Sequence, residues 1–212
     1  MNTQTLQLNG GEELKIGNRS QVYSLLARAF RFPTQEEYQR VKDGQFAKAA
    51  QESLAGLPYN GLKGGELGRG MAASYEEFQS AYIGLFEVGG EMGAPSPLYE
   101  GEYGGGRMKV MEEVLRHYFG LRLSEVKRDR PDHLASELEF MHLLTFKETE
   151  GLLQGADRSA YRQAEQDFLR FHLTDFVASV AGKIGGRAAP FYSDLAQLAH
   201  GFCAKELAYL SA

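Results

Sequence analysis

The stretch Arg130-Pro131-Asp132-His133-Leu134-Ala135-Ser136-Glu137-Leu138-Glu139-Phe140-Met141 decides the reading of this chain. Proline suits the first position of a helix, and an acid there complements the helix dipole, so Pro131, Asp132 and His133 read as a first turn. Leu134, Leu138 and Met141 then recur at i, i+4 and i+7. Glu137 falls one turn below His133 on the same face, because residues four apart are neighbours on a helix. Polar groups set beside an apolar stripe suit a surface that grips a partner better than a plain core helix. The pattern predicts a helix over about 131–150, with Gly151 and Gly155 marking its end.

The same spacing recurs on both sides. Val22, Leu25, Leu26, Ala29 and Phe30 predict a helix over about 19–31, stopped by Pro33. Thr34 and Glu37 form a capping box for a more polar helix over about 35–55. Tyr75, Phe78, Tyr82, Leu85 and Phe86 stripe a third helix, read as core rather than as a groove. Met108, Met111, Leu115, Tyr118 and Phe119 stripe a fourth. Leu169, Leu173, Phe176 and Val180 mark a sixth before Gly185-Gly186, and Phe191, Leu195, Leu198 and Phe202 open the last. Alternating strands and internal repeats are missing from the pattern. The fold class is therefore all-α, a single domain over 1–212 with about seven helices, residues 1–17 being expected to be flexible.

One segment breaks the rhythm. Val88 to Gly106 carries seven glycines (89, 90, 93, 101, 104, 105 and 106) and two prolines, 95 and 97. A loop of that length inside a helical domain is usually functional or disordered, so it reads as a hinge or arm, with two lobes joined by it as one arrangement. Such a hinge would also permit a domain-swapped dimer beside the monomer. Its centre, Pro97-Leu98-Tyr99-Glu100-Gly101-Glu102-Tyr103, is aromatic and acidic, unlike a simple tether.

Composition narrows the function classes. The chain has 212 residues, a formal charge of −5 and 43% hydrophobic residues, ordinary for a globular domain and without the basic footprint of a nucleic-acid binder. A single cysteine, Cys203, rules out an intrachain disulfide and fits a reducing compartment. Met1 to Leu8 carries neither a basic nor an apolar signal region, and apolar runs fall short of the ~20 residues needed to span a bilayer, so stable membrane insertion is not expected. A cytoplasmic protein is the expectation.

Catalytic motifs are thin. Glu139-x-x-His142 matches half of a di-iron carboxylate site, but such a site needs a second Glu-x-x-His and two further carboxylates. A small helical di-metal enzyme is thus the alternative function, resting on that half motif. A Gly-x-Ser-x-Gly elbow is missing, and Cys203 sits in an apolar helical pattern where an inert thiol is the commoner state. Gly104-Gly105-Gly106-Arg107 leads into a helix whose N-terminus could attract an anion, yet it follows no predicted strand and lacks P-loop spacing. The acids Glu100, Glu102, Glu112 and Glu113 are either a solvated face or part of a binding surface bordering the aromatic loop.

The Pro-Asp-His-Leu element followed by Glu-Leu-x-Phe-Met resembles the signature of the redox-enzyme maturation chaperones (TorD/DmsD/NarJ-like). Further stretches in the same order, Leu85-Phe86-Glu87-Val88, Pro97 to Gly104, Arg107 to Glu112 and Leu144 to Glu148, resemble the subgroup serving type II enzymes of the dimethyl sulfoxide reductase family. The resemblance implies an all-helical cytoplasmic chaperone without catalysis and without a cofactor or metal of its own. Its expected partner is the catalytic subunit of a molybdoenzyme, met at a twin-arginine signal peptide or as the apo-form and held until the molybdenum cofactor is inserted. It places client binding at Tyr99, Glu100, Glu102, Tyr103, Pro131, Asp132, His133 and Glu137. The family often has a second proline where this chain has Arg130.

Overall fold

The computed structural model describes residues 8, 10–64, 66–89, 93–120, 130–185 and 189–212. The chain forms helices α1 (Glu12–Ala29), α2 (Gln35–Lys42), α3 (Gln45–Ala55), α4 (Tyr75–Phe86), α5 (Arg107–Gly120), α6 (Leu134–Leu153), α7 (Ser159–Phe168), α8 (Thr174–Ile184) and α9 (Pro190–Leu210). Among the described residues the only β-type pairing is a single antiparallel bridge between Tyr99 and His133. The fold is all-α, as the periodicity predicts.

Among the described residues the seven predicted helices become nine because two of them are subdivided. The second breaks at Asp43-Gly44, where Gly44 takes a left-handed conformation (φ 72°) open to glycine at little cost. The sixth begins earlier, at Ser159, and passes from α7 to α8 through a π turn over Leu169–Leu173. Single π turns inside helices are rare and often occur at functional positions. This one brings His172 inward.

Helix α6 lies at the centre of the domain and pairs most extensively with α1. Leu134, Leu138, Phe140, Met141 and Leu144 are fully buried, and Ala135, Ser136, Thr145 and Gly151 are buried beside them, while Glu139, Leu143, Phe146, Lys147 and Glu150 stay half-buried. The hydroxyls of Thr145 and Thr149 donate to the carbonyls of Met141 and Thr145 at 2.9 and 2.8 Å, which lets a polar side chain sit in apolar surroundings. The reading of this helix as a partner-gripping surface is thereby corrected: it is a core helix. It starts at Leu134 rather than Pro131, with His133 as its cap. The aromatic stripe of α4 is core as expected, Phe78, Tyr82 and Phe86 packing around Tyr192 with ring centroids 5.2–5.8 Å apart.

Two expectations about mobility are revised. Helix α1 already begins at Glu12 and buries Ile16, so residues 12–17 belong to the domain, while 1–7 and 9 lie outside the described residues. The Gly/Pro-rich segment, whose residues 90–92 also lie outside them, is anchored from Ser96 onward. The Ser96 N–H donates to the Leu85 carbonyl at 2.9 Å, and its hydroxyl to the Val180 carbonyl at 3.1 Å. Leu98 is buried, and its carbonyl accepts from the Leu134 N–H at 2.9 Å. This strap ties α4, α6 and α8 together, so from Ser96 it is a fixed part of one hydrophobic core that runs from Val22 to Cys203.

Candidate functional site

The start of α6 is built by exchange of backbone bonds with the strap. The Glu100 N–H donates to the Asp132 carbonyl at 2.9 Å, next to the Leu134–Leu98 bond. The His133 side chain accepts from the Ala135 N–H through Nδ1 at 3.1 Å, which satisfies one of the orphan donors of the first turn. Nδ1 therefore carries no proton in this arrangement. The Tyr99 and His133 rings meet edge to face with centroids 5.0 Å apart.

These two rings form one wall of a cleft of about 870 Å³ between the C-terminal end of α1, α2, α4 and the start of α6. Arg28, Arg31, Phe32, Glu37, Glu87, Arg130 and Glu139 contribute to its lining. Arg28 is ion-paired with Glu37, and Arg31 with Glu139. Arg130 lies against the Tyr99 ring, 3.8 Å from its centroid, and grips Asp132 with two hydrogen bonds. Phe32 is 51% exposed and touches Tyr82 edge to face at 5.5 Å. Ile83 on α4 and Val88 just beyond it are also exposed, the latter at 61%, but outside the cleft lining. Arginine forks, carboxylates and exposed apolar groups together make a surface suited to a peptide of mixed character.

The eight residues singled out by sequence do not gather in one place. Tyr99 and His133 line the cleft. Asp132 and Glu137 are fully buried, so direct contact with a partner through Glu137 is corrected: the strap covers it. Glu100 turns toward the interior, its two oxygens each 3.1 Å from Nδ1 of His172. The carbonyl of Pro131 accepts from the Tyr118 hydroxyl at 3.1 Å. Tyr103 faces α8, donating to the Pro97 carbonyl at 2.9 Å with Lys183 over its ring, and Glu102 is exposed. The proposed acidic contact surface is thus mostly an internal network.

That network is unusual electrostatically. Burial, followed by the nearby charges of Glu100 and Asp132, pushes the Glu137 carboxyl well above the ordinary range. Its oxygens have no donor aimed at them, so a bond to Glu100 requires that Glu137 itself carry the proton. Burial and then His172 hold His117 below the usual imidazole range, the two rings lying 5.2 Å apart.

The half motif for metal is occupied by other partners. Glu139 pairs with Arg31, and His142 lies within hydrogen-bonding distance of the Ser20 hydroxyl (2.9 Å) and carbonyl (3.0 Å). Among the described residues no group of three or more His, Cys, Asp or Glu side chains could hold a metal ion. Cys203 is buried, which raises its thiol well above the ordinary value. No helix among the described residues is long and apolar enough to cross a membrane.

Sequence reasoning missed Arg28, Arg31, Phe32 and Glu87. The available signal was Phe32, a large apolar residue placed after the predicted end of α1 and before Pro33.

The chain belongs to the family described as nitrate reductase delta subunit, which it matches over residues 42–181. It is 31% identical over 194 residues to the perchlorate reductase assembly chaperone protein of Dechloromonas aromatica (strain RCB), covering 87% of this chain and 86% of that one. The chlorate reductase assembly chaperone protein of Ideonella dechloratans is 34% identical over 155 residues, 71% of this chain and 68% of that one. The dimethyl sulfide dehydrogenase assembly chaperone protein of Rhodovulum sulfidophilum is 30% identical over 208 residues, 90% and 80% of the two chains. A crystal structure from Archaeoglobus fulgidus, described as that of a redox enzyme maturation protein, superposes with a TM-score of 0.51 at 17% identity, covering 99% of both chains, which shows the shared fold. These relatives are assembly chaperones rather than catalysts, and this chain is one of their family.

Proposed function

We propose that the chain is a cytoplasmic chaperone for the catalytic subunit of a molybdoenzyme of the dimethyl sulfoxide reductase family. It binds the subunit before the molybdenum cofactor is inserted and releases it for assembly and export. The cleft beside α6 carries this reading: exposed Phe32 offers apolar contact, and Glu87 offers an exposed carboxylate in the same lining as the Tyr99 and His133 rings. A segment with basic residues followed by apolar ones, the composition of a twin-arginine signal peptide, suits those walls. The kinship with assembly chaperones for perchlorate, chlorate and dimethyl sulfide enzymes supports the client class. The chain itself needs no cofactor for this role.

Removing the chain from its host and measuring molybdenum in the purified client tests the proposal. The client is expected to accumulate without molybdenum and to regain it when the wild-type chain is restored. Full molybdenum occupancy in its absence would overturn the reading.

A further inference from the structure

Arg130 holds a place that another arginine could take. Its Nε donates to Oδ1 of Asp132 at 3.1 Å and its Nη2 to Oδ2 at 2.9 Å, while its guanidinium plane lies 3.8 Å from the Tyr99 ring centroid. The Asp132 side chain is wholly buried, whereas that of Arg130 keeps 25% of its surface exposed toward the cleft. We propose that Tyr99 and Asp132 form a receptor for a single arginine side chain of the client, and that Arg130 is the chain's own occupant, displaced when the client binds. The proposal rests on the reading of the cleft as the client site.

Three features of the geometry carry it. A carboxylate and an aromatic face, set to grip one planar fork in two hydrogen bonds, distinguish arginine from lysine, whose ammonium is a point charge. A stacked guanidinium adds cation–π attraction to the same ring. A buried carboxylate must keep a counter-charge, and Arg130, only two residues away in the chain, supplies one while the cleft is empty. Exchange of one guanidinium for another leaves the charge on Asp132 balanced throughout. The other arginines of the cleft are committed to carboxylates of its own lining, Arg28 to Glu37 on α2 and Arg31 to Glu139 on α6. Glu87 stands exposed at the cleft and supplies a carboxylate toward which a displaced Arg130 or an arriving basic segment is drawn.

Arg130→Ala, which empties the receptor, should create binding where the wild-type chain shows little. The probe is N-acetyl-arginine amide, titrated by calorimetry and by thermal melting, with N-acetyl-lysine amide as the control. The variant is expected to bind the arginine amide at least tenfold more tightly than the wild type, to melt at a higher temperature in its presence, and to respond far less to lysine. Adding Asp132→Asn to the variant should abolish the gain. If Arg130→Ala does not fold alone, the arginine amide should restore its folding, and Arg130→Gln serves for the titration. Equal response of variant and wild type, equal effects of arginine and lysine, or failure of the amide to restore folding would overturn the proposal. The probe requires no client, so such a failure beside intact binding of the catalytic subunit rejects the receptor alone, whereas loss of client binding by the wild type rejects the chaperone reading.

Discussion

Glu137 of α6 and Glu100 of the strap confront each other as two carboxyl groups behind the wall made by Tyr99 and His133, and burial leaves room for one charge between them. His172 stands on the far side of Glu100, its Nδ1 3.1 Å from both carboxylate oxygens. Burial holds the Glu137 carboxyl toward its neutral form, and no donor of the described residues reaches its oxygens. The cleft wall is therefore backed by a carboxyl group that resists ionisation.

This arrangement makes stability depend on pH with a definite sign. The folded-state pKa of Glu137 is raised above its unfolded value of about 4.3, so its contribution is fully present below that pH and is lost as pH rises through the folded pKa. His117 and His142 act in the opposite sense: both are held below the unfolded value of about 6.5, chiefly by burial, and their contribution is lost as pH falls through their folded pKa values. Glu137→Gln, which keeps a donor without a titrating proton, should flatten the high-pH decline only. Urea denaturation of both proteins across pH 5–9 checks this, with the wild type losing up to about 1.4 kcal/mol per pH unit more than the variant. Parallel profiles would show that Glu137 is not the titrating group.

A second buried charge cluster sets the cost of losing α1. Arg19 donates to Glu206 at 2.9 and 3.0 Å, to Glu148 at 2.9 Å and to Glu165 at 2.5 Å, all of them buried. The hydroxyls of Tyr23 and Tyr59 donate to Glu206 at 3.0 and 2.7 Å. Burial above all raises Glu165 to about 8, so Glu165→Gln should cost less than the loss of Arg19. Arg19→Met leaves two further carboxylates without their buried counter-charge and should cost about 3–5 kcal/mol. Denaturant midpoints at pH 7 check the ordering, and equal costs for the two variants would contradict it.

The start of α6 makes a stability prediction of its own. His133→Ala removes the acceptor for the Ala135 N–H and should cost about 1 kcal/mol, whereas His133→Asn restores a cap and should cost a few tenths. Asp132→Asn reads from sequence as harmless to stability, being an acid in an exposed first turn. In the structure it breaks a buried, bidentate pair with Arg130 and should cost about 2–4 kcal/mol. Chemical denaturation of the three variants separates a capping role from an ion-pair role.

Helix content was legible because burial repeats with helical period, although in α5 the buried face is Val110, Val114 and Tyr118, while Met108 of the predicted stripe is 81% exposed. The burial of Asp132 and Glu137 was not legible. Acids in and near the first turn of a helix read as solvated, and what covers them is a strap from residues 96–103, more than thirty positions away in sequence. Gly44 carried a local sign of the α2–α3 break, since glycine is the usual residue for a left-handed turn, whereas the π turn at Leu169–Leu173 kept the apolar spacing and left no sign. The pairing of Arg31 with Glu139 joins residues 108 positions apart, and only the packing of α1 on α6 reveals it. Tyr99 and His133 line the cleft because the strap and the start of α6 exchange backbone bonds there.

The central claim, that the chain holds a molybdoenzyme catalytic subunit in this cleft, is tested most directly by calorimetric titration with that subunit prepared without its cofactor. Phe32→Asp is the informative variant, because Phe32 is half exposed on the cleft and its replacement should leave the denaturation midpoint close to that of the wild type. The account predicts one-to-one binding by the wild type and at least tenfold weaker binding by the variant, a difference of about 1.4 kcal/mol or more. Equal affinities for the two proteins, both fully folded, would contradict it.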